Sequence, residues 1–331
     1  MGTMMQGRAA VVTGAGRGIG RGIAIALAGQ GAAVVVGDMG ASLAGEGKDT
    51  RPAQQVVDQI RSAGGEAIAH HGDVSDFEQG TDLVETCLKQ YGKVDAVVNC
   101  AGILRDRMIF NMSEDEWDAV IAVHLKGTFN VTRAASIRMR ERGYGRIVSM
   151  SSTSALGAAG QPNYGAAKAG IMGLMWSCAT GLKKYNVTAN AVMPSGATRM
   201  IDSTPRGQQV YQETGRWPSE TAAGTERDPD NVAPLVVYLC SDASAGVSGQ
   251  VFASIGYQIV RLEMPRFVRA LRGRRRWEPE EVAEWFPRTL GDGGLLEPPA
   301  AGGFGERLRA MDDEQFTPLA DGVLSWRAND V

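Results

Sequence analysis

No stretch of this 331-residue chain approaches the ~20 consecutive apolar residues that a membrane-spanning helix requires. Cysteine is scarce. The four present, Cys87, Cys100, Cys178 and Cys240, show neither C-x-x-C nor metal-type spacing. That argues against a disulfide scaffold or a zinc ribbon and fits buried thiols in a reducing compartment. Histidine is scarcer still: His70 and His71 are adjacent with no third ligand, so they are expected at the surface and no metal site is expected. Neither sign of charge dominates, with 34 basic and 37 acidic residues, so neither nucleic acid nor a membrane surface is an expected partner. The N-terminal residues lack an apolar core, and Gln6 stands where a myristoylation signal after Gly2 needs Ser or Thr. The final Ala-Asn-Asp-Val is not a peroxisomal address, and the expected compartment is the cytosol. What remains is 44% hydrophobic and 21% charged, ordinary for a globular protein with one large domain and an appendage.

Against those absences stands a regular alternation of short apolar runs and helical patterns. Arg8 to Thr13 reads as a strand. It enters Gly14-Ala-Gly-Arg-Gly-Ile-Gly20, which opens a helical pattern from Arg21. Glycines so placed let the chain turn sharply, admit a pyrophosphate, and leave helix N-terminal N–H groups to bind it. A second strand, Ala32 to Val36, ends at Asp38, whose carboxylate can accept from ribose hydroxyls and repel a 2′-phosphate. Arg17 pulls the other way as a phosphate partner. Further strands are expected at Glu66 to His70, Ala96 to Val98, Arg146 to Met150, Val187 to Met193 and Gln250 to Ala253. Asp73, after the third strand, is placed either to meet an adenine amino group or to cap a local turn. Six βα repeats imply an α/β fold, a doubly wound parallel sheet of Rossmann type, with ligands beyond the carboxyl ends of its strands.

Ser113 and Glu116 form a capping-box pattern that opens a long helix to about Arg140, interrupted near His124 to Gly127. His124 reads equally as a packed core residue or as part of a site. The stretch Ser149 to Lys168 carries the most chemistry. Tyr164 and Lys168 are four apart and share a helix face. An ammonium beside a phenol, whose ordinary pKa is about 10, is expected to favour the phenolate and lower that value. Ser151 and Ser152 follow the apolar end of a strand, where a hydroxyl could meet the substrate oxygen on which the phenol acts.

Together, Thr13-Gly-Ala-Gly-Arg-Gly-Ile-Gly20, Asn99-Cys-Ala-Gly102, Tyr164-x-x-x-Lys168 and Asn190-x-x-x-Pro194 resemble the short-chain dehydrogenase/reductase family over residues 7 to 255. Within it, Gly102-Ile-Leu-Arg-Asp-Arg107, Val123-His-Leu-Lys-Gly127 and Gln161-x-Asn-Tyr164 resemble the (3R)-hydroxyacyl-CoA dehydrogenase unit of peroxisomal multifunctional β-oxidation enzymes, whose relatives also oxidise 17-hydroxysteroids. The resemblance implies Tyr164 as acid/base, Lys168 as its partner and nicotinamide-ribose ligand, and a serine polarising the substrate carbonyl. Counting from the strand gives Ser152, and counting back from Tyr164 gives Ser151; strand geometry favours Ser152. His124 occupies a position usually held by an asparagine of a proton relay. The implied cofactor is NAD, lined by Gly14, Arg17, Gly18, Ile19, Gly20, Asp38, Asp73, Val74, Asn99, Ala101, Gly102, Pro194 and Thr198 together with Tyr164 and Lys168.

The resemblance further implies a small-molecule substrate, an acyl-CoA or steroid-like alcohol or ketone, and a homodimer or homotetramer. The alternative on the same fold is a non-catalytic nucleotide-binding regulator. Residues 1–258 are expected to form the catalytic domain, with a mobile substrate lid from Asp202 to Asp228. Residues 259–290 are expected to be a helical extension, including an amphipathic helix over the seven arginines of Arg261 to Arg276. Residues 291–331, rich in Gly, Pro and Ala, are expected to be a loose tail.

Overall fold

In the computed structural model, residues 2–263, 265, 269–291, 317–320 and 323–325 are described. The apolar strands sort their side chains by parity. In β1 (Ala9–Thr13), Ala10 and Val12 enter one core and Ala9 and Val11 the other. The same division runs through β2 (Ala33–Gly37) and β4 (Ala96–Asn99), so both faces of the sheet are buried. Adding β3 (Glu66–His70), β5 (Gly145–Met150), β6 (Val187–Pro194), β7 (Val251–Ile255) and β8 (Gln258–Leu262) gives the order β3-β2-β1-β4-β5-β6-β7-β8. All neighbours are parallel except β7 and β8. The chain reverses its winding between β1 and β4, where Val11 lies opposite Val35 on one side and Val97 on the other. That switch point is where ligands of such sheets sit.

One face is covered by α1 (Gly18–Gly29), α2 (Arg51–Ser62) and α9 (Ala233–Cys240), and the other by α3 (Phe77–Tyr91), α5 (Gly127–Arg142) and α6 (Pro162–Leu182). The capping box forms as expected and opens α4 (Glu114–Ile121): Ser113 Oγ accepts from Glu116 N, and Glu116 Oε2 accepts from Ser113 N. The interruption before α5 is a five-residue π-helix, Ala122–Lys126, with His124 at its centre. Such bulges shift the helical register and recur at functional sites.

Two expectations need correction. Beyond Ile255 the chain does not leave the sheet. Gly256, at φ 57°, and Tyr257 form a two-residue turn, and β8 pairs back antiparallel with Ile255 opposite Gln258. Glycine first with positive φ is the chemistry of a tight hairpin. The expected boundary at 258 therefore falls within this hairpin. Nor is Arg261 to Arg276 helical in its described part. Arg261 and Leu262 belong to β8, and residues 269–278 form no helix, while 264 and 266–268 lie outside the described residues. Arg275 instead pairs with Glu281 at 2.6 Å, and Glu281 opens α10 (Pro279–Trp285), a helix with the expected acidic start. Within the stretch expected to be a loose tail, Thr317–Ala320 and Val323–Ser325 pair as strands; the rest of 292–331 lies outside the described residues.

The polar stretch after β6 carries α7 (Arg199–Asp202) and α8 (Pro205–Thr214). Thr204 caps α8 by accepting from Gly207 N at 3.1 Å, Pro205 starts it, and Gly215 ends it at φ 70°.

Candidate active site

The glycine turn fits β1 against the loop after β4. A Cβ on Gly14 would stand 2.7 Å from Ala101 Cα, and one on Gly20 would stand 2.2 Å from the Gly14 carbonyl oxygen. Thr13 Oγ1 accepts from Cys100 N at 2.9 Å and Ala101 N at 3.1 Å, tying the two strand ends together. Thr198 caps α7 and lays its methyl over Gly18, where a Cβ would meet it at 3.0 Å; Ile19 packs into the core beneath. The result is a shallow cradle of glycine backbone at the N-terminus of α1, the shape a dinucleotide pyrophosphate needs.

Asp38 closes one end of that cradle. Its Oδ2 accepts from Gly16 N at 2.8 Å and its Oδ1 from Gly40 N at 2.7 Å. Arg17 and Arg199 converge beside it, each donating to the Ala41 carbonyl, at 3.5 and 3.2 Å. Burial and the neighbouring Arg17 charge lower the pKa of Arg199. Asp73 folds its own turn, with Oδ1 accepting from both Ser75 N and Ser75 Oγ at 2.8 Å, so of its two expected roles the capping one is visible. Val74 crowds Gly127, and its carbonyl accepts from Asn130 Nδ2 at 2.8 Å. Asn99 is held by Thr132 and Ser149, both at 3.0 Å, while its buried Oδ1 has no hydrogen-bond partner. Pro194 ends β6 opposite Ser254.

At the carboxyl end of β5 the two serines separate. Ser151 is buried and donates its hydroxyl to the Lys168 carbonyl at 2.9 Å, which fixes α6 to the sheet. Ser152 faces the Tyr164 phenol, and that hydroxyl partly offsets the rise that burial imposes on the phenol's pKa, to about 12. The net direction is opposite to the expected lowering, because desolvation penalises the phenolate. Lys168 Nζ lies 5.4 Å from the centre of the Tyr164 ring and donates to the Met150 carbonyl at 2.6 Å. Burial lowers its pKa to about 8.

His124 stands edge-on to Tyr164, ring centres 5.0 Å apart. Its Nε2 is 2.8 Å from the Ile103 carbonyl oxygen and 3.1 Å from Ile103 N. One ring nitrogen cannot serve both; the shorter contact needs the proton on Nε2 and leaves buried Nδ1 without a partner. Burial first, then the Lys168 charge, pushes the His124 pKa down to about 3, so the ring is neutral. Gly102 is required beside it, since a Cβ there would lie 2.3 Å from His124 Cε1. His70 and His71 are half-buried at the surface, where His70 bonds Asp82 at 2.9 Å and His71 Nδ1 approaches the Asp38 carbonyl at 3.3 Å.

Residues 14–256 match the family model described as Enoyl-(Acyl carrier protein) reductase, spanning the cradle, Tyr164 and Lys168. The chain belongs to the short-chain dehydrogenase/reductase family. It is an oxidoreductase fold that uses a nicotinamide dinucleotide. A solved short-chain dehydrogenase from Mycobacterium avium superposes with a TM-score of 0.76 at 40% identity, over 90% of this chain and 99% of that one. The hydroxyacyl-CoA dehydrogenase ChsB1 of Mycobacterium tuberculosis is 40% identical over 85% of this chain and 87% of its own length. The peroxisomal multifunctional enzyme type 2 of Mus musculus is 37% identical over 94% of this chain, which spans 41% of that longer protein.

Several residues of this dehydrogenase site were not singled out from sequence. Arg199 follows Thr198 with no motif of its own. Asn163 carries no signal in the sequence beyond its place in Gln161-x-Asn-Tyr164; it is buried, donates to the Arg105 and Glu116 carbonyls at 3.0 Å, and accepts from Tyr164 N at 2.7 Å. Asp106 and Gln161 are far apart in sequence, and only the fold joins them, through Ser154, to Ser152.

Proposed function

We propose that this chain is an NAD-dependent dehydrogenase interconverting a secondary alcohol and a ketone, with a 3-hydroxyacyl-CoA or a hydroxysteroid as substrate. The observation that carries the reading is the convergence of Ser152, Tyr164 and Lys168 beyond the carboxyl end of β5. The residues fit the cofactor: glycine backbone that a Cβ would fill, an orphaned Asn99 Oδ1, and an acid at the end of β2. Bound there, the nicotinamide would take up or give the hydride.

The chain supplies the rest. Tyr164, a phenol with its pKa pushed up, gives its proton to the oxygen of a ketone as it is reduced, and in its phenolate form takes the hydroxyl proton of an alcohol as it is oxidised. Ser152 donates a hydrogen bond to the same oxygen. Lys168, whose ammonium is the nearby cation, favours the charged form of the phenol. Asp38 favours NAD because it accepts from ribose hydroxyls and repels a 2′-phosphate; Arg17 and Arg199, whose guanidinium groups meet at the Ala41 carbonyl, oppose it. The acyl-CoA reading is supported by the relative named as a hydroxyacyl-CoA dehydrogenase. Exposed Ile109, Phe110, Trp117 and Phe129 on the α4–α5 side support a homo-oligomer. The cytosol as compartment is part of the same proposal and is supported by the four free thiols.

The test is a turnover screen with NAD on (3R)-hydroxyacyl-CoA and hydroxysteroid panels, read by the absorbance of reduced nicotinamide. Turnover of the CoA ester supports the reading, steroid turnover alone moves it to the second substrate, and binding without turnover of either overturns it in favour of a regulator.

A further inference from the structure

A line of side chains runs from the surface to Ser152. Asp106, on the exposed loop after β4, accepts from Gln161 Nε2 at 2.7 Å. Gln161 precedes α6, one turn before Tyr164, and its Oε1 accepts from Ser154 Oγ at 2.8 Å. Ser154 Oγ lies 3.2 Å from Ser152 Oγ, and Ser154 N donates to Ser152 Oγ at 3.1 Å. The neighbouring Arg107 is paired with Glu116 at 2.7 Å, which leaves the Asp106 carboxylate turned to Gln161.

The chemistry of the first link dictates the direction of the others. An ionised carboxylate only accepts, so it must face the amide nitrogen. The amide oxygen is then turned to Ser154, which must give its single proton there. Ser154 Oγ therefore offers Ser152 lone pairs alone. Ser152 keeps one lone pair free for the Tyr164 hydroxyl, and its own proton rests on Ser154 until a substrate oxygen competes for it. With the amide reversed, Ser154 would give its proton to Ser152. Together with the bond from Ser154 N, that would fill both lone pairs of the catalytic hydroxyl.

We propose that Asp106 is a positioning residue, which sets through Gln161 and Ser154 the direction of the hydrogen bonds that reach Ser152. The inference rests on the reading of Ser152 and Tyr164 as the groups that meet the substrate oxygen, and it makes the carboxylate part of the machinery without contact with substrate. An amide at 106 removes the constraint, since it donates as readily as it accepts. A carboxylate at 161 restores it at Ser154, because it too can only accept there.

The experiment measures kcat, KM and NADH affinity for Asp106→Asn, Gln161→Glu and the double variant, each with and without Ser152→Ala, with thermal unfolding as a check on folding. Asp106→Asn is expected to lower kcat about five- to tenfold, the size of one misdirected transition-state hydrogen bond, with NADH affinity unchanged. Gln161→Glu alone sets two carboxylates face to face and is expected to be at least as impaired. The double variant is expected to recover most of the lost kcat, and Asp106→Asn is expected to cost nothing further in the Ser152→Ala background. Full activity of Asp106→Asn, absence of recovery in a folded double variant, or an undiminished loss without the Ser152 hydroxyl would each overturn the proposal. Tyr164→Phe run alongside separates the two readings: if it stays active the catalytic assignment fails, and if it is dead while Asp106→Asn is unaffected only the positioning role fails.

Discussion

Replacing His124 with asparagine should flatten the acid limb of the protein's stability. The imidazole is buried, neutral and bonded to the Ile103 carbonyl, with its pKa pushed to about 3, whereas an unfolded histidine titrates near 6.5. Between those values the unfolded chain binds a proton that the folded chain refuses. Stability is therefore fully present above about pH 6.5 and is lost as pH falls toward 3. The slope is about 1.4 kcal/mol per pH unit, so about 2 kcal/mol disappears by about pH 5, a large share of the 5–15 kcal/mol typical of a domain. Lys168, the charged neighbour, titrates at about 8 and keeps its ammonium throughout that window. Urea unfolding of wild type and His124→Asn at about pH 7.5 and pH 5 supplies the test. Carboxylate contributions are common to both proteins and cancel in the difference. The wild type should lose about 2 kcal/mol more than the variant over this interval. Parallel losses would mean that the folded imidazole takes up protons freely, and the buried neutral ring would be refuted.

Wild type should bind NAD at least tenfold more tightly than NADP, about 1.4 kcal/mol, and Asp38→Ala should narrow the gap; competitive titration giving NADP equal or tighter would assign the site to Arg17 and Arg199. Ser152→Ala should leave only about 1% of wild-type turnover. Ser151→Ala should keep it and lose about 1 kcal/mol of stability with its bond to the Lys168 carbonyl, and the reverse pattern in steady-state assays would exchange the two serines. Lys168→Ala should weaken both NAD binding and turnover, and loss of turnover alone, measured by cofactor titration, would deny it the ribose contact. If the arginines of 261–276 capture CoA phosphates, preference for the CoA ester over the free hydroxy acid should fall with added salt; a salt-independent ratio would leave these arginines to pairs such as Arg275 with Glu281.

The strands were legible because each is a short apolar run whose both faces are buried, so Val34, Val35 and Val36 announce a central strand without any partner. The cradle was legible because glycine alone fits where Gly14 and Gly20 meet carbonyl and Cα atoms. The interruption at His124 could be read as a break in helical pattern, although its π-helical form could not. Strand β8 was hidden because its pairing depends on a two-residue turn at Gly256 and Tyr257, and the five residues that follow carry no alternation strong enough to announce a strand by themselves. Helix α8 was hidden for a different reason: it is short, polar and held by caps at Thr204 and Gly215 rather than by an apolar stripe. The line from Asp106 to Ser152 spans residues 106, 161, 154 and 152, and no spacing rule joins positions that only the loop after β4 and the start of α6 bring together. The pKa of Tyr164 went the other way from expectation because a sequence shows the ammonium four residues on but not the burial of the phenol.

The most direct test of the central claim is the paired measurement of turnover and NAD affinity in Tyr164→Phe. Removing one oxygen leaves the ring against His124 and the Lys168 contact with Met150 in place. The account predicts NAD affinity within about twofold of wild type, with oxidation of a (3R)-hydroxyacyl-CoA reduced to background. Turnover close to wild type in a variant that binds NAD normally would contradict it, because the alcohol's proton would then have to be taken by a group other than Tyr164.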